Sequence, residues 1–493
     1  MTGNPSGGFP ENTRRYVLIT AILASSMAFI DGSVLSIATP AIRADLGASL
    51  SQAQWISNGY MLLLASMMLI GGAAGDRFGL RRVFGLGIAV FTISSGLCAF
   101  APSTVILIAA RVLQGLGAAL MVPGSLAIIA KAYPKDKRGQ AIGLWATASS
   151  LMSILGPVIG GFVLTALGDW SWRLVFAINL PLGLVALAML WLRVPADPPS
   201  ERRKLDLIGG GLVTAALLLI ALGLTGEPRA DGTTDLSRAL IFCGTGIALF
   251  IAFIVWESRT ASPMLPLRLF ASRGFSGANA LTFTLYFLLS AIMFYLPMAL
   301  IGGWGVTPAN VSLALLPLGI LLTLMSSFTG KLADRFGAGP PIAGGSLIVA
   351  LGFAGLGLSV PFHSLWLAVT PMMVLIGIGM GFVVSPLSTA VMVSVSDEDT
   401  GVASGVNNAV ARVAGLVAVA AMGALVAFVF EYRMNGVTGL SFGQAAVAAR
   451  NTEALRVAAT DGAFAAVAYV TAILSLVSAV IAWTTLARTA TIS

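Results

Sequence analysis

Three ionisable side chains, Asp31, Arg111 and Arg412, stand in surroundings where charge is costly. Each lies within a run of roughly 20 predominantly apolar residues, the length of helix that crosses a hydrocarbon core about 30 Å thick. An ionisable group in such a place has a partner, a relay role or a ligand to contact. Counted along their helices at 1.5 Å per residue, Asp31 lies roughly 10 Å and Arg111 roughly 12 Å below the same membrane surface, so the two can meet. Beside Arg111 the Asp31 carboxylate stays ionised; parted from it, desolvation favours the protonated acid. That alternation is the chemistry of a proton coupler. The competing reading is a permanent salt bridge that fixes the packing of two helices. Arg412 has no carboxylate at its depth, which leaves helix-end carbonyls, an anionic substrate or headgroup, or cavity water as its candidate partners.

The elements that position these residues are membrane helices. Of 493 residues, 57% are hydrophobic and 10% charged, against roughly 25% charged in a soluble domain, which excludes a water-soluble fold. Fourteen apolar runs recur along the chain; being continuous rather than alternating, they predict helices and an all-α integral membrane protein. Lys and Arg divide nineteen to seven between the two sides when the N-terminus is placed in the cytoplasm, which predicts cytoplasmic N- and C-termini. The net charge of +8 is then a topogenic bias, and nucleic acid is not an expected partner. Eight of the nine Trp fall at predicted helix ends, where amphipathic rings prefer the headgroup region. Cys98 and Cys243 lie in apolar runs and suggest neither a disulfide nor a metal site. The single histidine, His363, is placed in a loop on the outer side, and no phosphate-binding loop is present. The scarcity of converging catalytic groups within the spans argues against a membrane enzyme.

The chain is duplicated. Gly72-Ala-Ala-Gly-Asp76-Arg77-Phe78-Gly79 returns as Gly330-Lys-Leu-Ala-Asp334-Arg335-Phe336-Gly337, each copy following the second helix of its half. The expected organisation is a cytoplasmic tail over 1–15, a six-helix bundle over 16–192, a linker with two inserted helices over 193–273, a second six-helix bundle over 274–487 and a tail over 488–493. Such parallel halves are a transporter plan with a substrate site between them. The repeated loops, with Arg81 and Arg82 after the first, are read as cytoplasmic gates whose glycines make tight turns. The acidic run Asp397-Glu398-Asp399 is expected to latch onto Arg77, Arg81 and Arg82 when that side shuts, solvated turns being the alternative. Gly156-Pro157-x-x-Gly160-Gly161 combines a missing backbone donor with small residues and is read as a hinge, or as plain close packing. The segment 431–461 is expected to be an amphipathic surface helix or a flexible loop on the outer side.

Together these motifs resemble the major facilitator superfamily, and the layout of six, two and six helices is similar to its fourteen-helix drug:proton antiporter family. The loop signature is matched by Gly72, Asp76, Arg77 and Gly79, with Leu80 where a basic residue is usual. The fourth-helix signature is matched by Arg111, Gln114, Gly115 and Gly117, the first-helix acid by Asp31 and the exporter signature by Gly156, Pro157, Gly160 and Gly161, with Met152 in place of its leading glycine. The resemblance implies export by alternating access, with proton movement through Asp31 and Arg111. It implies no cofactor beyond the proton gradient, no metal, a multi-pass place in the inner or plasma membrane, and a cargo of small amphiphilic molecules such as drugs or antibiotics. Protons and membrane lipids are the other expected partners, and the unit expected to function is a monomer. Gln114, Asn279, Tyr286, Tyr295 and Arg412 are candidates to line the substrate cavity, with packing as the alternative. No acid stands between Val306 and Gly330, so a strong preference for divalent cations is not expected. A lipid or endogenous-metabolite exporter of the same fold, and a transport-inactive receptor or scaffold, are the rival functions.

Overall fold

The computed structural model describes residues 9–196, 205–226, 236–445 and 450–486. Fourteen helices among them are long and apolar enough to span a membrane: α1 Glu11–Leu46, α2 Leu50–Phe78, α3 Leu80–Ala99, α4 Thr104–Ala132, α5 Lys135–Leu167, α6 Asp169–Arg193, α7 Leu207–Leu224, α8 Leu236–Arg259, α9 Arg273–Gly303, α10 Pro308–Phe336, α11 Gly339–Phe362, α12 Leu365–Val393, α13 Thr400–Met434 and α14 Thr452–Thr485. The even number returns the chain to the face it started from, called here the terminus face.

Local chemistry sets the helix ends. Ser49 and Gln52 exchange hydrogen bonds in a capping box that opens α2, satisfying backbone donors that have no partner within the helix. The side chains of Ser103, Asp206, Ser272 and Thr307 each accept from the backbone N–H three residues on, capping α4, α7, α9 and α10. Gly79 at φ 96° and Gly337 at φ 80° end α2 and α10, in a backbone region that a side chain rarely tolerates. Both repeated loops are therefore sharp corners between successive helices.

The packing of the first six helices recurs eight helices later. Helix α4 packs on α2 and α3, α1 on α5 and α6, and α3 on α6; likewise α12 packs on α10 and α11, α9 on α13 and α14, and α11 on α14. The two bundles meet through α2 with α13, α5 with α10, and α1 with α9. The inserted helix α7 lies against α2 and α13, beside the seam between the bundles, and α8 lies chiefly against α7.

Hydrogen bonds that join the bundles cluster on the face away from the termini. Arg43 Nη1 donates to the Phe442 carbonyl at 2.5 Å and Nη2 to Ser441 Oγ at 2.7 Å. Gln54 Nε2 donates to Tyr295 Oη at 2.9 Å, and the Ala309 backbone N–H donates to Thr165 Oγ1 at 3.0 Å. Of the segment 431–461, read from the sequence as a surface helix or a loop, residues 435–445 follow α13 outside any helix and 446–449 lie outside the described residues. Its last part is a helical extension that leads into α14 from Arg450, and it is pinned by Arg456, which is 1% exposed. Arg456 donates to Glu453 and to the carbonyls of Gly302, Gly303 and Gln444. An arginine with that many acceptors draws a helical turn down onto the protein rather than onto a membrane surface.

Candidate functional site

Asp31 and Arg111 meet in the centre of the first bundle. Asp31 is 0% and Arg111 1% exposed, and Arg111 Nη1 donates to Asp31 Oδ2 at 2.5 Å. Gln114, one turn along α4, bridges the pair: its Nε2 donates to Asp31 Oδ1 at 3.0 Å while its Oε1 accepts from Arg111 Nη1 at 2.6 Å. Arg111 Nε donates to the Ile56 carbonyl at 3.0 Å, and its guanidinium lies 4.3 Å from the Tyr60 ring centroid and 5.6 Å from that of Phe176. Beyond Gln114 the network runs on through Ser95 Oγ, which accepts from Gln114 Nε2 at 3.0 Å and from Asn179 Nδ2 at 2.9 Å. Five helices thus hold one carboxylate. Each oxygen of Asp31 has a donor, and cation–π contact offsets part of the cost of burying the guanidinium.

Helix α2 touches both this pair and the second bundle. Ile56 and Tyr60 touch Arg111 on one side, and Gln54, on the same helix, reaches across to Tyr295 of the second bundle. Tyr295 Oη in turn donates to the Val419 carbonyl at 2.5 Å. Ser95, Asn179, Tyr60 and Gln54 are not among the site residues the sequence suggests. Their polar side chains within apolar spans were the signal available, since such groups need partners in lipid.

Other sequence candidates take varied places. Gln114, Asn279 and Tyr295 are buried against protein rather than facing open space; Asn279 Nδ2 donates to the Phe275 carbonyl at 2.9 Å. Tyr286 and Arg412 are half-buried, and Arg412 Nε has no hydrogen-bond partner. In the hinge motif α5 runs unbroken through Pro157. Gly156 and Gly160 face α1, where an added Cβ would meet Ser33 Oγ at 2.8 Å and Val34 Cγ1 at 2.5 Å. Gly161 faces the other bundle, with the Pro308 carbonyl 2.7 Å from such a Cβ. These three glycines set how closely α5 approaches both neighbours.

At the gating loops, Gly72 is half-buried and Asp76, Arg82, Asp334 and Arg335 are exposed, while Gly330 lies opposite Ser385 on α12. Arg77 lies over Phe78 and Arg335 over Phe336, an identical arrangement at 5.3 Å in both copies. Arg81 donates to the Trp191 carbonyl at 2.7 Å and stacks on its ring. Asp399 does not reach these arginines here: it accepts from Arg268 Nη2 at 2.6 Å, a residue of the segment leading into α9. Among the described residues the Asp399 carboxylate is thus engaged away from these arginines, and the ties between bundles given above lie on the opposite face. Arg43 and Arg456, which charge counting treats as solvated, are buried beneath that face. His363 Nε2 lies 2.6 Å from Asp461 Oδ2 there.

Residues 21–419 match the family model described as Major Facilitator Superfamily. The tetracenomycin C resistance and export protein of Streptomyces glaucescens is 33% identical over 417 residues, spanning 83% of this chain and 75% of the relative. The methylenomycin A resistance protein of Bacillus subtilis is 32% identical, spanning 85% of this chain and 90% of its own. A multidrug resistance protein B homolog of Mycobacterium tuberculosis is 31% identical, over 87% of this chain and 80% of its own. Among solved structures, a bacterial homolog of the human lysosomal transporter Spinster shares the fold at a TM-score of 0.67 with 16% identity, over 97% of this chain and 98% of that one.

Proposed function

The chain belongs to the Major Facilitator Superfamily, among its drug-efflux members, and we propose that it exports small amphiphilic molecules such as antibiotics in exchange for protons. The observation that carries the reading is the sealed Asp31–Arg111–Gln114 network. In this reading the network fixes the Asp31 carboxylate in place, and proton exchange at that carboxylate accompanies its separation from Arg111. Movement of Arg111 disturbs Ile56 and Tyr60, and α2 carries that disturbance to the Gln54–Tyr295 tie that helps close the face away from the termini. Proton binding and opening of that face are then two consequences of one rearrangement, as coupling between sites requires.

In this reading the terminus face is cytoplasmic, the membrane is the plasma or inner membrane, and the energy source is the proton gradient with no other cofactor. The protein works as a monomer, and the closed opposite face makes the present conformation inward-facing. Arg412, half-buried with an unpartnered Nε, is the side chain best placed to meet a polar group of the cargo. The test is efflux from proteoliposomes with a panel of fluorescent amphiphiles. Flux that requires an imposed proton gradient and disappears in Asp31→Asn supports antiport; flux indifferent to gradient and substitution refutes it. A narrower cargo, such as one endogenous metabolite, is the second reading; a Streptomyces relative is named for resistance to and export of a single compound, tetracenomycin C. Competition by unrelated amphiphiles distinguishes broad from narrow selection.

A further inference from the structure

The inserted helices α7 and α8 meet at the terminus face, where two carboxyl groups come together. Asp206 caps α7: its Oδ1 accepts from the Gly209 backbone N–H at 2.8 Å and from Trp256 Nε1 at 2.9 Å. Glu257, the residue after that tryptophan, is 3% exposed. Its Oε2 accepts from the Leu265 backbone N–H at 3.0 Å, which folds the strap 260–266 back onto α8. Its other oxygen, Oε1, is buried with no hydrogen-bond partner. A Cβ added to Gly209 would stand 2.6 Å from Glu257 Oε1 and 2.6 Å from Asp206 Oδ2. The two oxygens therefore flank one small space and are no further apart than twice that distance.

Ionised carboxylates are acceptors only, so neither oxygen brings a donor to the other. Like charges this close, one of them buried, repel, and one proton held between them turns repulsion into a hydrogen bond. Among the described residues, the groups that act on Glu257 are the Asp206 carboxyl and the backbone N–H groups of Leu265 and Met264. Arg259, on the same helix, is exposed, and Arg268, just beyond the strap, pairs with Asp399. From α2, the neighbour at Gly210 is the Ile70 side chain.

We propose that Asp206 and Glu257 form a proton-binding site on the inserted helix pair, separate from Asp31 and supplied by water at the terminus face. Asp206 is half-exposed and is the entry point. With the proton bound, the corner is closed and Glu257 holds the strap; with it lost, two negative charges repel and the strap loosens. The strap leads directly to the Arg268–Asp399 pair and to α9, so the seating of the insert against the second bundle follows the pH of that compartment. An acid that keeps its proton in the folded state stabilises the fold at low pH and loses that contribution as pH rises.

The test is an infrared pH titration of the purified full-length protein in nanodiscs, with thermal unfolding followed in parallel. The wild type and Asp31→Asn both show a titrating protonated-carboxyl band and an unfolding temperature that falls on alkalinisation. Glu257→Gln loses that band, and its amide keeps the hydrogen bond at every pH, so the alkaline fall is lost too. Asp206→Asn provides the same readouts should Glu257→Gln fail to fold, with the band removed or shifted. An unchanged band and an unchanged pH slope in the variant that folds overturn the proposal. Stabilisation by sodium or potassium without such a band also overturns it, making a metal cation the occupant.

Discussion

At the centre of the first bundle stand a paired carboxylate and guanidinium bridged by an amide, whereas among the described residues the middle of the second bundle holds rings, hydroxyls and amides, with Arg456 buried only near the face away from the termini and Arg412 half-buried. There Thr282 Oγ1 donates to Asn407 Oδ1 at 2.6 Å, Ser475 Oγ donates to the Ser346 carbonyl at 2.8 Å, and Tyr295 packs edge-on against Phe294. The scaffold around these centres is nonetheless shared. An added Cβ on Gly117 would come within 2.5 Å of the Phe91 nitrogen on α3, and one on Gly379 within 2.7 Å of the Gly345 carbonyl on α11. Duplication thus preserved the close helix contacts and the glycine corners, while the buried carboxylate–guanidinium pair at a bundle centre is described in the first half. A transporter built this way can bind its proton in one bundle and use the other chiefly as the body it moves against.

The largest expected effect comes from breaking the charged centre. Arg111→Ala leaves Asp31 buried without its counterion, and the loss of one partner of a buried pair costs about 3–5 kcal/mol. Thermal unfolding in detergent and gradient-driven flux should both register it. The matching cut in the second bundle, Asn407→Ala, removes one neutral hydrogen bond worth about 1 kcal/mol, since the Thr282 hydroxyl can still donate to the Ala278 carbonyl at 3.0 Å, and it should leave proton coupling intact. Equal damage to coupling from both would erase the division between the halves.

Bulk placed at equivalent glycines tests the shared scaffold. Gly117→Leu and Gly379→Leu should each destabilise by at least about 1–3 kcal/mol through overpacking, to a similar extent. A large disparity in unfolding temperature would mean that the two glycine contacts are not equivalent. Tyr295→Phe removes the hydroxyl that joins Gln54 to Val419, costing on the order of 1 kcal/mol. Its expected signature is greater reactivity of a cysteine introduced beside Gln54, as that face opens more often. The smallest effect belongs to Asp399→Asn: the Arg268 side of its pair is 71% exposed, and exposed pairs contribute about 0–1 kcal/mol. The stability change should shrink further in high salt.

Much of this contrast was legible in the residues. Apolar length alone marks the fourteen spans, and helical rise alone brings Asp31 and Arg111 to one level. The helices overrun the apolar runs, as at Lys135–Arg138 and Asp334–Arg335, because charged end turns continue the helix into water. The role of Gln114 was not legible, since a polar residue beside a charge reads equally as a cavity lining or a bridge until its partners are known. Burial of Arg43 and Arg456 was hidden for a different reason. It depends on the segment around Phe442 folding over Tyr295, with ring centroids 6.0 Å apart, a long-range contact that no local pattern specifies.

The central claim is that Asp31 is the group that exchanges a proton during transport. Proton release or uptake on addition of a transported amphiphile, read by a pH dye in weakly buffered detergent solution, measures this without a membrane gradient. The wild type should exchange protons with the solvent in proportion to cargo bound, and Asp31→Asn should bind the same cargo with no exchange. Exchange of equal size in both proteins would place the coupling proton elsewhere and contradict the account.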